Sequence, residues 1–384
     1  MPNNISQHSY KTDFTIIIYN YLKNIFLKSI FICFILLSQK SFANYPNLSG
    51  DIIINLGLDK LSAKESDIKQ YNSILETQTN LSLNINRNWS VKTLWQSRKF
   101  SKDEYINKQS YNPILANDNR QISPSNESLF IEELKLDFRN EDLEFFIGKY
   151  NPNFGNAWNK KRRSSIFTNF FGRDYQLREK IGLGITAIFE ESELSFFPFF
   201  NDNTDLSNSA INRRGKNRAD YQMSGNNGSL SSYVIALTGK NFLTLEDLSY
   251  HLAYKKLDVD NNILAEENGY IASFEYLFDI GYKTSIVPFY EIVVTNNIHG
   301  TRDKDVTHQI AALNFNYSSW NLTASYFTKD ISYNNNDILD KYIEYNIGYR
   351  INNNIKIDIS RLSAKEDDID YSGFYTIFTY MKEF

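Results

Sequence analysis

Seven basic side chains crowd one short stretch of the chain: Lys160, Lys161, Arg162, Arg163, Arg173, Arg178 and Lys180, against only Asp174 and Glu179. The whole chain carries 41 Lys and Arg against 45 Asp and Glu, so a basic cluster stands inside an acidic protein. Such a cluster makes and breaks no bonds. Beside a narrow wet passage it lowers the barrier for anions and raises it for cations, and low-dielectric walls strengthen that field. The plainer alternatives for the run at 160–163 are a solvated surface or a contact with lipid phosphates. Trp158, Phe167, Phe170 and Phe171 flank the run and read as anchors pinning the segment to a wall.

Covalent chemistry is not announced. The four histidines, His8, His251, His299 and His308, have no metal-ligand spacing, and there is no Gly-x-Ser-x-Gly elbow. His251 and His308 read as ordinary strand residues in polar surroundings. No enzyme, metal or cofactor is expected; a hydrolase pairing a Ser or Asp with a His on neighbouring strands is the catalytic alternative. A net charge of −4 leaves no basic surface of the kind nucleic acid needs. With a mean hydropathy of −0.44 and no apolar run near ~18 residues beyond the N-terminus, a helical membrane bundle is excluded.

The N-terminus has its own pattern. Lys23 and Lys28 precede a short apolar core from Ser29 to Leu37, and Ser41-Phe42-Ala43 offers small residues for cleavage. This is the order of a secretory signal, so residues 1–43 are expected to be removed and 44–384 to form one domain. The single cysteine, Cys33, leaves with the signal.

In the remainder, period-two alternation recurs and helical periodicity does not. Ile343, Tyr345, Ile347 and Tyr349 alternate with Glu344, Asn346 and Gly348; Leu248, Tyr250, Leu252 and Tyr254 alternate with Ser249, His251 and Ala253. Successive strand side chains point to opposite faces, so each segment has a greasy and a polar face. Many segments reach ~10–14 residues, against ~5–6 for globular strands. The pattern predicts strands near 49–60, 72–86, 90–100, 127–139, 142–150, 180–189, 193–200, 230–240, 245–257, 268–279, 281–295, 306–318, 320–331, 339–351, 355–363 and 371–384. Tight turns, one of them at Ile280, alternate with longer connections that include 332–338 and 364–370. The fold expected is all-β: a transmembrane antiparallel up-and-down barrel of about sixteen strands. The 26 Tyr and 28 Phe are then expected largely on its lipid-facing wall.

The chain stops at Phe384 after Phe378 and Tyr380, similar to the C-terminal signature read by the barrel-assembly machinery, although Lys382 departs from it. Signal, strands, terminal Phe and a long third loop opening at Gly148-Lys149-Tyr150 together resemble the Gram-negative trimeric porin superfamily. That resemblance implies an outer-membrane location, a homotrimer in lipid and lipopolysaccharide, small hydrophilic solutes, and a third loop folded into the lumen. The constriction would hold Lys160, Lys161, Arg162, Arg163, Arg173, Asp174 and Arg178. Strand parity gives the lumen Glu76, Lys92, Arg98, Glu133, Lys135, Asp137, Glu344, Arg350, Lys356 and Asp358, because a Lys or Arg facing lipid at midplane costs ~2–4 kcal/mol. A closed barrel whose outer loops bind a host, a phage or lipopolysaccharide is the alternative, with the basic loop around Arg213, Arg214, Lys216 and Arg218 as its candidate surface.

Overall fold

The computed structural model describes residues 45–63, 69–99, 127–157, 174–211, 223–241, 245–260 and 263–384. Within them the alternating segments form β1 (Asn47–Ala63), β2 (Lys69–Asn84), β3 (Trp89–Lys99), β4 (Glu127–Arg139), β5 (Leu143–Tyr150), β6 (Lys180–Ile188), β7 (Ser192–Asn201) and β8 (Ser232–Gly239). They continue as β9 (Leu248–Leu257), β10 (Glu267–Tyr276, resuming at Phe278–Gly281 after a break at Leu277), β11 (Thr284–Asn296) and β12 (Asp305–Tyr317). The last four are β13 (Trp320–Tyr333), β14 (Asn336–Arg350), β15 (Ile355–Glu366) and β16 (Ile369–Glu383).

Each strand pairs antiparallel with the next, and β16 closes on β1 in a ladder running from Asp51 opposite Glu383 to Ala63 opposite Tyr371. Closure leaves neither the first nor the last strand with a free edge, the condition for strands to lie in lipid. Phe384 extends the seam, exchanging two 3.0 Å backbone hydrogen bonds with Gly50.

Three connections differ from the sequence reading. The turn after β10 is Tyr282-Lys283, not Ile280, and both residues have positive φ. The supposed long connections at 332–338 and 364–370 are two-residue hairpins, Asn334-Asn335 and Asp367-Asp368, again with positive φ. Asn and Asp visit the left-handed region more easily than other side chains, and that conformation matches the twist of paired strands. Two of the expected long connections are therefore tight.

The outward face is apolar. On β14, Ile343, Tyr345, Ile347 and Tyr349 are exposed while Glu344, Asn346 and Gly348 between them are buried. The inward face is mixed. Phe146, Phe197, Phe199, Val234, Ile271 and Phe289 are buried on β5–β11, beside buried Thr186, Ser195, His251, Lys255 and Glu291. The apolar ones form one cluster with Phe154, Ala157, Tyr175 and Leu177, which lie between β5 and β6 in sequence, and with Tyr342, Leu362 and Tyr371 of β14–β16. Aromatic residues are thus shared between the outer wall and the inward face, because a loop segment packs against it.

Gly148 marks where the chain leaves the wall. Its φ is +143°, and a Cβ would stand 2.3 Å from the Leu134 carbonyl oxygen. We expect Gly148→Ala to destabilise the barrel by about 1–3 kcal/mol, seen as a lower denaturant midpoint for its heat-shifted gel mobility. An unchanged midpoint would show that the wall relaxes there.

Candidate functional site

Pairing between β4 and β5 ends at Leu134 opposite Lys149. Above it, β4 is bridged instead by Ala210 and Ile211, the Ala210 N–H donating to the Leu129 carbonyl at 2.7 Å. Lys149 fills the fork so formed. It is 1% exposed and ion-paired at 2.8 Å to both Glu179 and Asp202, and it also donates to the Leu206 carbonyl at 3.0 Å. A buried ammonium is tolerated only with such pairing.

From this fork the chain reaches side chains on the inward face of distant strands. Phe154 lies under the Lys255 ammonium of β9, 4.8 Å from Nζ to the ring centroid, while Lys255 is paired to Glu267 at 2.7 Å. The Gly155 N–H donates to His251 Nε2 at 3.2 Å. Because Nε2 accepts, the neutral ring carries its proton on Nδ1 and donates to Thr238 Oγ1 at 2.8 Å.

Glu291 of β11 is the central acceptor. Its fully buried carboxylate receives the Asn156 N–H at 2.7 Å, the Ala157 N–H at 3.2 Å and the Tyr175 hydroxyl. Both ends of the segment between β5 and β6 are therefore tied to one side chain. Hydrogen bonds to a charged group in a buried site are worth more than neutral ones, and leaving such donors unpaired costs more still.

Asp174 makes the next tie. It accepts from His308 Nε2 of β12 at 3.1 Å and pairs with Lys329 of β13 at 2.5 Å. Burial pushes its carboxyl up, but the Lys329 ammonium and the His308 hydrogen bond outweigh it and hold the group well below the usual carboxylate range. A depressed folded-state value means stabilisation present above the unfolded value and lost only as pH falls through the folded one. This tie should hold from pH 8 to about 4, read as constant single-channel conductance across that window. A conductance step near pH 6 would assign control to a histidine instead.

On the opposite side, Arg178 makes a two-pronged contact with Glu132 of β4, at 2.8 and 2.7 Å, and reaches Gln96 of β3 at 3.0 Å. Asn151 donates to the same Glu132 at 2.9 Å.

Of the expected constriction residues, Lys160, Lys161, Arg162, Arg163 and Arg173 lie outside the described residues, as do Trp158, Phe167, Phe170 and Phe171. Asp174 and Arg178 are both held in ion pairs. Among the wall residues, Glu76, Lys92, Glu133, Lys135, Asp137, Glu344, Lys356 and Asp358 are on the inward face, whereas Arg350 is exposed at the end of β14. The side chain of Arg98 is outside the described set. Lys92 pairs with Asp137 at 2.6 Å and Lys356 with Asp358 at 3.0 Å. Lys135 lies over the Phe146 ring at 4.4 Å, and Glu344 accepts from Ser360 at 2.7 Å. Phe378 and Tyr380 are on the outward face beside Phe384.

Sequence reasoning did not single out Glu132, Glu291 or Lys329, and it read His251 and His308 as plain wall. All five hold the segment between β5 and β6 or its ends. The available signal was an ionisable residue in the polar row of an otherwise apolar strand, as Glu291 is between Phe289 and Val293.

No family model matches the chain, and no curated protein matches it in sequence. Solved structures do match in fold. An anion-selective porin from Comamonas acidovorans superposes with a TM-score of 0.53 at 9% identity, over 88% of this chain and 99% of that one. OccK8 (OprE) of Pseudomonas aeruginosa gives 0.52 at 11% identity, over 88% and 98%. The trimer form of OmpT, an outer membrane protein of Vibrio cholerae, gives 0.53 at 9% identity, over 87% and 99%. With its closed sixteen-strand antiparallel barrel, the chain has the fold of Gram-negative outer-membrane porins.

Proposed function

We propose that the protein is an outer-membrane porin through which small hydrophilic solutes diffuse, without covalent chemistry. The observation that carries this reading is the set of ties just described. Segments on both sides of residues 158–173 bond β3 and β4 at one side of the barrel and β9, β11, β12 and β13 at the other. A segment tied to both sides of a closed wall crosses its interior. It packs against the inward face of β9–β13 and leaves the side lined by Lys92, Asp137, Glu344 and Asp358 as the water-lined path. The long-loop rim then faces the cell exterior, residues 1–43 are the cleaved signal, and Phe378, Tyr380 and Phe384 are the assembly signal. A trimer fits the likeness to the trimeric OmpT form.

That side carries both signs, with Lys92 paired to Asp137 and Lys356 to Asp358. Any ion preference therefore rests on Lys160, Lys161, Arg162, Arg163 and Arg173, and we assign the pore a preference for anions. Two measurements test the reading. Proteoliposomes should swell in small neutral sugars, with rates falling as sugar size rises. Under a salt gradient the reversal potential should carry the sign of anion preference. Absence of swelling would reject the pore; a cation-selective potential would reject only the role of the loop.

A further inference from the structure

At the long-loop end of the barrel one buried ion pair gathers three separate connections. Lys255 of β9 lies opposite Gly269 of β10, where a Cβ would stand 2.5 Å from Lys255 Cε. With no side chain in the way, the lysine stem lies across β10. Its ammonium reaches Glu267, two residues away on the same inward face, at 2.7 Å. Both side chains are buried. The Glu267 carboxylate also accepts the His299 N–H at 2.7 Å from the connection between β11 and β12. From the connection between β7 and β8 it accepts the Ser224 hydroxyl at 3.1 Å. Phe154, from the segment between β5 and β6, lies under the same ammonium. Losing any of these contacts leaves a buried charge less well satisfied.

Beside this pair an open cavity of about 740 Å³ lies between the β9–β10 and β11–β12 connections, lined by Val259, Leu264, Glu266, Asn297, Arg302 and Asp303. Its two sides are stitched together: the Ala265 N–H donates to the Gly300 carbonyl at 2.9 Å, and Asn297 Nδ2 to the Glu266 carbonyl at 3.0 Å. Asn297, His299, Gly300 and Asp303 all have positive φ. A side chain such as that of His299 takes this conformation only when its surroundings hold it there, and here the bond from its N–H to Glu267 does so. The cavity wall and the ion pair are thus one or two residues apart, Glu266 next to Glu267 and Asn297 just before Ile298 and His299.

We propose that the Lys255–Glu267 pair couples this cavity to the segment inside the barrel, so that filling the cavity loosens residues 154–157 from the inward face. A body wedged between the two connections draws His299 off Glu267. The ammonium then loses part of its balance and its place over Phe154. Lys255 and Glu267 are positioning residues in this role, since neither has to touch a solute. The coupling belongs to the fold, and only its effect on current rests on the reading of the barrel as a pore.

The test fills the cavity covalently. In a chain whose single cysteine, Cys33, is changed to Ser, Arg302→Cys offers one thiol at the cavity for a bulky maleimide. Labelling should make the amides of Gly155, Asn156 and Ala157 exchange hydrogen roughly fivefold faster, read by mass spectrometry, and should make single channels noisier. Changing Lys255 and Glu267 together to Met removes both charges at once and should leave a folded barrel. In that background labelling should alter neither the exchange at 154–157 nor the noise. Glu267→Gln, which keeps the acceptor but not the charge, should respond in between. Exchange at 154–157 that is unmoved by labelling would overturn the proposal. So would an equal response in the doubly substituted background, which would route the effect through other contacts. Faster exchange in a barrel that never conducts would reject the pore and leave the coupling standing.

Discussion

Replacing Glu291 with Ala should turn a steady channel into a noisy one of higher conductance. Its carboxylate accepts two backbone N–H groups from one end of the loop segment and the Tyr175 hydroxyl from the other. Each such bond to a charge is worth about 1.5–3 kcal/mol, and together they tie both ends of that segment to one side chain of the wall. The barrel itself is held by its strand ladders, so the variant should still fold and show its heat-shifted mobility. What changes is occupancy of the lumen: once freed, the segment samples positions in which the path is wider. Single-channel recordings should show a conductance roughly two- to fivefold higher, with frequent substates, since a few kcal/mol suffices to populate an open arrangement. Glu291→Gln, which keeps one acceptor oxygen, should fall between. Unchanged conductance and noise in the Ala variant would mean that the other ties fix the segment by themselves.

The second large effect concerns Lys160, Lys161, Arg162 and Arg163. At ~8 Å from a passing ion in water each charge contributes at most about 0.5 kcal/mol, so four together, reduced by screening, bias anion over cation by at least about an order of magnitude at low salt. Screening shortens their reach to about 8–10 Å at physiological ionic strength. Neutralising all four should therefore shift the anion-to-cation permeability ratio severalfold toward cations at low salt and much less at high salt. A reversal potential unmoved by the fourfold variant would place the run away from the ion path.

Most of the wall was legible in the sequence. Long alternating segments with an outward greasy row can satisfy their backbone only by pairing, and the count closes because the first and last strands meet at Gly50 and Phe384. The two misread hairpins have a local cause: runs of Asn and Asp look like loop, yet the same side chains tolerate the positive φ of a two-residue turn. The loop anchors were not legible for a different reason. Glu291 and Asn156 are separated by 135 residues, and nothing in the alternation of β11 says what its inward carboxylate will meet. The basic cluster was visible as charge, but of the expected constriction residues the two that are described, Asp174 and Arg178, serve as ties. The apolar residues buried on the inward face were hidden too, since period two identifies a face of the strand without saying whether the opposite face is wetted or covered.

The central claim is that this barrel is open. Single-channel conductance of the purified, folded protein in a planar bilayer tests it most directly. The account predicts discrete, long-lived conductance steps that scale with bulk salt and need no added ligand. Folded protein that inserts, shows its heat-shifted mobility and yields no steps at any salt concentration would contradict it.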